Sequence, residues 1–255
     1  MGRFFIDREN IHDGKAIISG AEARHISGVM RLGTGDCLVL FDGNGFEYSG
    51  IIESVSSGNK EIKVIINETR EMPGENIPAL TLAQAIPKKN RMEQVLEKST
   101  ELGVSSIIPM VTERTIVRPV GRSGDKVVER WRKIAVETSK QCGRSVVPEI
   151  RQVTSFTDVL RSAGNFSLRL MACLSRESRP MGQILHRPLP QSIIVMIGPE
   201  GDFTPREIDK AKSDNFVMTS LGNRVLKSDT AGLFMLSVLI YEGGCYPAVS
   251  PGKGV

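Results

Sequence analysis

The clearest pattern of hydrophobic and polar positions lies in the last third of the chain. Ser192–Ile197 is a short apolar run rich in β-branched residues, which is typical of a buried strand. A glycine-bearing turn follows at residues 198–203, and a helix is predicted to begin at Thr204. Thr204 and Glu207 have capping-box spacing, and Pro205 takes the first helical position, where its missing N–H costs nothing. The pattern therefore predicts a strand, a loop and a helix.

A second segment of the same kind follows directly. Residues 216–221 predict a strand, residues 222–229 a loop, and residues 230–241 an almost wholly apolar helix that Gly243 and Gly244 end. Both loops leave the carboxyl end of a strand, and open α/β sheets bind their ligands at that edge. We therefore expect the two loops to form a binding site.

Upstream of these two segments, predicted strands and helices alternate. A helix that Asn90 caps and Gly103 ends lies between strands at residues 79–86 and 104–111. The remaining predicted elements are a helix at residues 125–142, a helix at 155–163 and a strand at 168–174. This alternation predicts an α/β domain with a parallel sheet covered by helices.

The first 71 residues have a different, β-like pattern. Cys37–Phe41 and residues 46–52 predict two strands joined by a glycine turn, and residues 62–66 predict another. Residues 21–32 are the one helical candidate. The pattern predicts a small β-barrel or sandwich, and the Pro and Gly residues around positions 70–77 indicate a linker after it.

The two predicted domains, residues 1–72 and 73–255, differ in charge. The first has 8 Lys and Arg against 11 Asp and Glu, and the second has 25 against 18. Residues 88–144 alone have 13 basic and 7 acidic side chains. A basic zone suits a phosphate backbone, and a solvated helical surface is the alternative explanation.

Composition and cysteine usage narrow the class of protein. The 255 residues are 40% hydrophobic and 24% charged, which is ordinary for a globular protein. The chain has no apolar run near 20 residues and no signal-peptide profile, so we expect a cytoplasmic location. The chain has four cysteines: Cys37, Cys142, Cys173 and Cys245. Their spacing suits neither a metal site nor a disulfide framework, so we expect no bound metal and reduced, mostly buried thiols.

Several common active sites are excluded by inspection. The chain has no G-x-x-x-x-G-K-[ST] loop, no G-x-G-x-x-G and no G-x-S-x-G, and its three histidines have no partners at triad or metal spacing. Hydrolase and dehydrogenase functions therefore lack support. Two glycine loops at adjacent strand ends remain, and they suit a small planar ligand such as an adenosine.

These loops carry a resemblance to a known family. Gly198-Pro-Glu-Gly-Asp-Phe203 and Leu221-Gly-Asn-Arg-Val-Leu-Lys-Ser-Asp-Thr-Ala231 resemble the two signature loops of the 16S ribosomal RNA uridine-N3 methyltransferases of the SPOUT superfamily. Asp202 stands where a second glycine is usual, and Lys227-Ser-Asp-Thr230 where Arg-Thr-Glu-Thr is usual. Other segments similar to the family occur in the family's order at residues 3–6, 22–25, 82–88, 97–103, 112–115 and 141–144.

The resemblance implies a fold and a cofactor. The expected fold is a PUA-like β-barrel that binds RNA, followed by a SPOUT-type parallel sheet with a carboxyl-terminal trefoil knot. The expected cofactor is S-adenosylmethionine, which carries its own electrophile, so the protein need only bind it, orient the acceptor and handle one proton. The resemblance assigns the cofactor pocket to Ile197, Gly198, Pro199, Glu200, Gly201, Leu221, Gly222, Leu226, Thr230 and Ala231.

The expected acceptor is N3 of a specific uridine in the decoding region of 16S rRNA. Its imide N–H must be lost as the nitrogen attacks. Arg224 or Lys227 would stabilise the uracil anion, while Glu200 or Asp229 would take the proton or hold the cation in place. Capping of the next helix is the alternative role for Asp229, and binding of loop amides is the alternative for Glu200.

Basic residues elsewhere are expected to contact the RNA. Such contacts go mainly to phosphates, which position the RNA without reading its sequence. The predicted RNA-binding residues are Arg24, His25, Arg31, Lys88, Lys89, Arg91, Arg114, Arg118, Arg122 and Arg144. The alternatives to a methyltransferase of the small ribosomal subunit are a catalytically inactive RNA-binding assembly factor and a small-molecule enzyme that uses the same pocket.

The helix predicted at residues 230–241 also predicts an oligomer. Its apolar residues cover the whole circumference, so one sheet face cannot bury them all. We therefore expect a homodimer with this helix, including Met235 and Leu239, at the interface.

Overall fold

The computed structural model describes residues 2–56, 58, 61–72, 78–89, 91–119 and 121–244. Asn90 as a helix cap, most of the predicted linker and Cys245 lie outside these residues. The chain divides into two compact units, Met1–Gly74 with Val136–Val147 and Glu75–Ala135 with Pro148–Val255. Residues 136–147, which the sequence prediction assigned to the second domain, thus group with the first unit, and the predicted boundary stays a prediction.

The first unit contains a six-stranded sheet. Its strands are β1 Arg3–Phe5, β2 Ile11–His12, β3 Lys15–Ser19, β4 Cys37–Phe41, β5 Phe46–Val55 and β6 Glu61–Glu71, in the order β1-β4-β5-β6-β3-β2. Among the described strands of this sheet, only β1 and β4 pair in parallel. The predicted helix at residues 21–32 is the short helix α1, Gly20–Arg24, followed by a π-helical turn, His25–Val29.

Strand periodicity builds the core of this unit. In β3 the residues alternate between exposed and buried, so Ala16 and Ile18 face the core while Lys15 and Ile17 face solvent. β4 also presents its first residue, Cys37, to solvent, and Cys142 is exposed as well. The expectation of mostly buried thiols was therefore wrong for two of the three described cysteines; Cys173 is buried.

The second unit is the predicted α/β layer structure. Its strands are β7 Ala79–Ala85, β8 Ser106–Val111, β9 Glu149–Ile150, β10 Thr154–Ser155, β11 Leu168–Ala172, β12 Arg179–Pro180, β13 Ser192–Ile197 and β14 Val217–Ser220. Its helices are α2 Arg91–Glu101, α4 Phe156–Ser162, α5 Pro205–Ser213 and α6 Ser228–Glu242, while α3, Gly121–Cys142, extends into the residues grouped with the first unit.

All strand pairs of this sheet are parallel, in the order β10-β8-β7-β13-β11-β14-β12 with β9 beside β8. β11 lies between β13 and β14, although it precedes both in the chain. Ala172 at the end of β11 is in register with Ile197 of β13 and Thr219 of β14. Three strands thus end together, and their loops meet at one edge.

The start of α5 confirms the prediction from its capping residues. Thr204 is the N-cap, its hydroxyl accepts from the Glu207 backbone N–H, and Pro205 begins the helix. The Glu207 carboxylate is 2% exposed and accepts the backbone N–H groups of both Thr204 and Glu113, at 2.9 Å each. The cap therefore also ties the loop after β8 to the loop after β13.

Helix α6 is buried differently from the prediction. Met235 and Leu239 are fully buried within the subunit, so they are not available to a second subunit and their predicted place at an interface was wrong. The exposed apolar side chains of the helix are Phe234 at 42% and Tyr241 at 61%. The helical period explains why some apolar residues of α6 are buried and others exposed, since residues three, four and seven apart share a face. The sequence does not show which of these faces packs against the sheet.

Among the described residues, no helix combines the length and the apolar character that crossing a membrane requires.

Candidate active site

A cavity of about 260 Å³ opens where β11, β13 and β14 end. Three loops form its walls, one after each strand, and the first turn of α6 closes it. Its lining residues are Ala172, Cys173, Leu174, Ile197, Gly198, Pro199, Glu200, Asp202, Thr219, Ser220, Leu221, Gly222, Arg224, Val225, Leu226, Lys227, Ser228 and Ala231.

The loop after β13 is a tight turn held by Asp202. The Asp202 N–H donates to the Pro199 carbonyl at 2.9 Å, and the residue adopts a left-handed φ of 58°. Asp tolerates this conformation because its short side chain can bind nearby backbone groups. Its Oδ1 accepts the Phe203 N–H at 2.8 Å, and its Oδ2 accepts the Leu174 N–H at 2.9 Å. Asp202 therefore joins the loop after β13 to the loop after β11.

Two more side chains fix the outer part of this loop. Arg114, after β8, donates to the Gly201 carbonyl at 2.6 Å. Glu200 uses Oε1 to accept the Lys88 backbone N–H at 2.9 Å. The predicted RNA-binding residue Arg114 and the predicted catalytic residue Glu200 thus both contribute contacts that hold the site together, and Glu200 still lines the cavity.

A buried hydrogen-bond chain supports the cavity from behind. Gln84, in β7, is fully buried and donates from Nε2 to the Ser228 hydroxyl at 2.8 Å. Ser228, at the first position of α6, donates in turn to the Gly198 carbonyl. The other amide atom, Gln84 Oε1, is buried and has no hydrogen-bond partner among the residues described. This series of hydrogen bonds fixes the second signature loop relative to the first.

The loop after β14 is open toward the cavity. Gly222 has a φ of +107°, which L side chains rarely adopt. Arg224 and Lys227 are exposed, line the cavity, and make no side-chain hydrogen bond or ion pair within the described part of the chain. In the same part of the chain, the backbone N–H groups of Val225 and Leu226 donate to no protein acceptor. This wall therefore offers two cations and free backbone donors.

Cys173 is the thiol of the cavity wall. Burial raises the pKa of the Cys173 thiol; the Ser178 hydroxyl lowers it, and the Asp202 carboxylate adds to the rise. The thiol therefore stays protonated at neutral pH and is a poor nucleophile. Its Sγ packs against Met218, which is consistent with a packing role.

The structure brings together most, but not all, of the predicted pocket residues. Three predicted residues do not line the cavity. Gly201 is exposed beside Arg114, Thr230 is exposed, and Asp229 faces Arg91 with 3.8 Å between Oδ1 and Nη1. The predicted residues that do line it are Ile197, Gly198, Pro199, Glu200, Leu221, Gly222, Arg224, Leu226, Lys227 and Ala231.

The sequence prediction missed the third wall of the cavity. Ala172, Cys173 and Leu174 end the strand that was predicted at residues 168–174, so the strand itself was recognised. Its place between β13 and β14 was not, because neighbouring order in a sheet does not follow chain order. The other missed lining residues are Asp202, Thr219, Ser220, Val225 and Ser228.

The predicted RNA-binding residues of the second unit fall into two groups. Lys88, Lys89 and Arg122 are exposed, and Arg91 is one-third exposed beside Asp229. Arg118 instead bonds the backbone carbonyls of its own loop, those of Thr112, Glu113 and Thr115. Lys88, Lys89 and Arg122 are therefore the exposed cations of this set whose side chains make no bond to other described residues.

In the first unit, Arg24 and Arg31 are exposed, and His25 meets the Phe4 ring edge to face at 6.1 Å. Arg144 is buried at 9% exposure. An arginine buried in this way does not present its guanidinium freely to a phosphate, and its part in RNA binding stays a prediction.

A second cavity, of about 600 Å³, lies elsewhere in this unit and is lined by residues that include Pro78, Arg187, Leu189 and Glu242. Two of its lining residues, Arg187 and Glu242, form an ion pair at 3.0 Å. It contains neither signature loop. Among the described residues, no group of three or more His, Cys, Asp or Glu side chains is arranged to hold a metal ion.

Two family models match the chain. One, described as an RNA methyltransferase domain, matches residues 75–240, and the other, described as an RNA methyltransferase PUA domain, matches residues 18–65.

Similar proteins carry related names. The chain is 33% identical to ribosomal RNA small subunit methyltransferase E of Bacillus subtilis, over 95% of this chain and 97% of the relative. A methyltransferase from Legionella pneumophila, solved with its cofactor SAM, superposes with a TM-score of 0.85 at 33% identity and covers 94% of this chain and 96% of its own. The Neisseria gonorrhoeae protein named ribosomal RNA small subunit methyltransferase E was solved with S-adenosyl methionine. It superposes with a TM-score of 0.83 at 28% identity, over 94% of this chain and 97% of its own.

Ser228→Ala tests the buried hydrogen bonds that link Gln84 through Ser228 to the Gly198 carbonyl. The variant loses a buried donor and a buried acceptor, and we expect it to lower the free energy of unfolding by about 1–3 kcal/mol in urea titrations. Ser237→Ala is the matched control, because this serine lies on the exposed face of the same helix and bonds only the Leu233 carbonyl. Equal effects of the two substitutions would mean that the Ser228 chain contributes nothing specific.

Proposed function

Because the chain belongs to the RNA methyltransferase family, with a PUA domain before the catalytic domain, we propose that it transfers methyl from S-adenosylmethionine to a specific uridine of 16S rRNA. The acceptor atom is N3 of a uridine in the decoding region, and the substrate is the small ribosomal subunit or its RNA, in the cytoplasm. The observation that carries the proposal is the cavity at the three strand ends. It combines a glycine loop with backbone donors and two cations that have no partner among the described residues.

The residues present fit this cofactor. Ile197, Leu221 and Leu226 supply apolar walls for a planar base, while the free N–H groups of Val225 and Leu226 can bind its polar edge. Gly198 lets the ligand approach the backbone closely. When bound, the cofactor supplies an electrophilic methyl group on its sulfonium, and no metal is required for that chemistry.

The glycines of the two loops are also required by the fold. A Cβ on Gly198 would lie 3.0 Å from the Phe203 ring, and any side chain at Gly222 would strain its left-handed backbone. Valine at either position would therefore disturb the loop itself as well as the space for the ligand. Substitutions of lining side chains are cleaner tests of the site.

Arg224 and Lys227 stabilise the acceptor as it loses its proton. Both line the cavity as cations without a protein partner among the described residues, so their charge is available to a uracil anion. Negative charge develops on O2 and O4 when the N3 proton leaves, and cations placed there lower the barrier by electrostatic stabilisation. Lys227 keeps the positive charge at a position where the family usually has arginine.

Glu200 accepts the proton, and Asp229 positions Arg91. Glu200 lines the cavity, and the bond from the Lys88 backbone N–H to Oε1 orients its carboxylate while Oε2 stays open. Asp229 does not line the cavity; its Oδ1 is buried, has no hydrogen-bond partner in the described chain, and lies 3.8 Å from Arg91. The two carboxylates therefore have different tasks.

RNA contacts come from exposed cations near the cavity and on the PUA unit. Lys88 follows β7 and donates its N–H to Glu200, so phosphate binding by its side chain would act next to the catalytic loop. Lys89, Arg122, Arg24 and Arg31 extend these contacts as sequence-independent phosphate ligands.

Methyl transfer to RNA tests the function directly. We expect the protein, with labelled S-adenosylmethionine and small subunits from cells that lack the modification, to form 3-methyluridine, detected by mass spectrometry of digested nucleosides. Glu200→Gln keeps an acceptor for the Lys88 N–H but cannot take a proton, so the rate falls by about two orders of magnitude. Asp229→Asn, outside the cavity, lowers it less.

A methyl group on another base or on a ribose would contradict the assignment of the acceptor. Binding of RNA without any transfer would favour a catalytically inactive assembly factor. A larger loss in Asp229→Asn than in Glu200→Gln would exchange the roles of the two carboxylates.

The protein also forms a homodimer through the exposed face of α6. Phe234, Val238 and Tyr241 lie four and three residues apart, so they share one face of the helix, and Phe234 and Tyr241 are exposed. Leu174 and Val225, at the mouth of the cavity, are 69% and 75% exposed. A second subunit would cover such side chains. The carboxyl-terminal knot expected from the family stays a prediction.

Phe234→Glu combined with Tyr241→Glu tests this interface. We expect light scattering to show a dimer for the unmodified protein and a monomer for the double variant, because two buried charges without counter-ions oppose association. Lys210→Glu, on the exposed side of α5, is the control and leaves the dimer intact. A monomeric unmodified protein at micromolar concentration would remove the proposal.

A further inference from the structure

Asp202 is the half-buried carboxylate of the cavity wall. Among the described residues, four charged side chains line the cavity: Glu200, Asp202, Arg224 and Lys227. The other three are exposed, so water and salt screen them. Asp202 is held in one place by the N–H groups of Leu174 and Phe203. Its negative charge is therefore the most fixed and the least screened of the four.

These two hydrogen bonds leave the carboxylate able to act on a ligand. Each carboxylate oxygen has two lone-pair sites, and each of these oxygens uses one for a backbone N–H. Two dipolar donors orient the group but do not neutralise its charge. No basic side chain among the described residues forms an ion pair with Asp202.

The methyl donor and the product of the proposed reaction differ in charge. S-adenosylmethionine has a sulfonium, an ammonium and a carboxylate, for a net charge of +1. Transfer of the methyl group leaves a neutral thioether in S-adenosylhomocysteine, for a net charge of zero. A fixed anion in the wall therefore interacts more favourably with the donor than with the product.

We infer that Asp202 is a specificity-determining residue that makes the cavity favour the cationic methyl donor over its neutral product. The inference rests on the proposed function. Its consequence is that methyl transfer itself weakens the hold on the spent cofactor, which favours release of the product and rebinding of the donor. Asp202 also holds together the loops after β11 and β13 through its hydrogen bonds. This structural role affects the binding of donor and product equally.

Calorimetric titration separates the two parts. We would measure the dissociation constants of S-adenosylmethionine, S-adenosylhomocysteine and sinefungin, an analogue with an ammonium in place of the methylsulfonium, for the unmodified protein and three variants. Asp202→Asn removes the charge and keeps one acceptor, and Asp202→Gly suits the left-handed φ of 58°. Glu200→Gln removes a second lining carboxylate that is exposed.

The readout is the dissociation constant of the product divided by that of the donor. Loss of the Asp202 hydrogen bonds weakens the binding of both ligands equally and so leaves this ratio unchanged. We expect both Asp202 variants to lower this ratio on the order of fivefold, as one charge acting over several ångströms of partly screened space would do. The product-to-sinefungin ratio should fall equally, because sinefungin carries the charge without the methyl group. Glu200→Gln should change either ratio by less than about twofold, because its charge is screened.

The outcomes distinguish this inference from the function on which it rests. The unmodified protein could bind the donor while both Asp202 variants have the same product-to-donor ratio of dissociation constants as the unmodified protein. Asp202 would then only shape the loop, and the inference would be overturned while the proposed function stands. An equal fall in Glu200→Gln would overturn it too, since the effect would then follow total charge and not the place of Asp202. If the unmodified protein binds none of the three ligands, both proposals fail together.

Discussion

The parallel register of β13, β11 and β14 is the constraint on which the site depends. Parallel strands in register end at one edge of the sheet, and Ala172 faces Ile197 on one side and Thr219 on the other. Three loops must therefore leave the sheet within a few ångströms of one another. The cavity follows from this alignment, because none of the three loops could enclose a ligand alone.

Hydrogen bonds between a side chain of one loop and the backbone of another make these walls rigid. Asp202 accepts the Leu174 N–H, Glu200 accepts the Lys88 N–H, and Ser228 donates to the Gly198 carbonyl. Arg114 donates to the Gly201 carbonyl in the same way. Each bond satisfies a backbone group that a loop would otherwise leave to water, and together they hold the site in a binding geometry before any ligand arrives.

Local signals predicted the elements well. The apolar run of β13 has the bounds that the sequence indicates, and the capping box of α5 is present because its geometry depends only on residues three apart. Both signature loops lie at one cavity as expected. The sequence could not supply the place of β11 between two later strands, since sheet order depends on how the chain crosses over and not on local pattern.

The same reasoning explains the errors on α6 and on Asp202. The apolar residues of α6 surround the helix, so the sequence could not show that Met235 faces the core while Phe234 faces solvent. At Asp202 the sequence shows only a departure from the glycine that is usual in the family. Its left-handed backbone and its bond to Leu174 depend on the loop after β11, which is distant in the chain.

Hydrogen–deuterium exchange with and without S-adenosylmethionine tests the central claim that three loops form one cofactor site. The account predicts slower exchange of backbone amides in residues 173–178, 198–203 and 221–227 together, with no change around the second cavity at Arg187 and Glu242. Protection confined to the second cavity, or absent from the loop after β11, would contradict it.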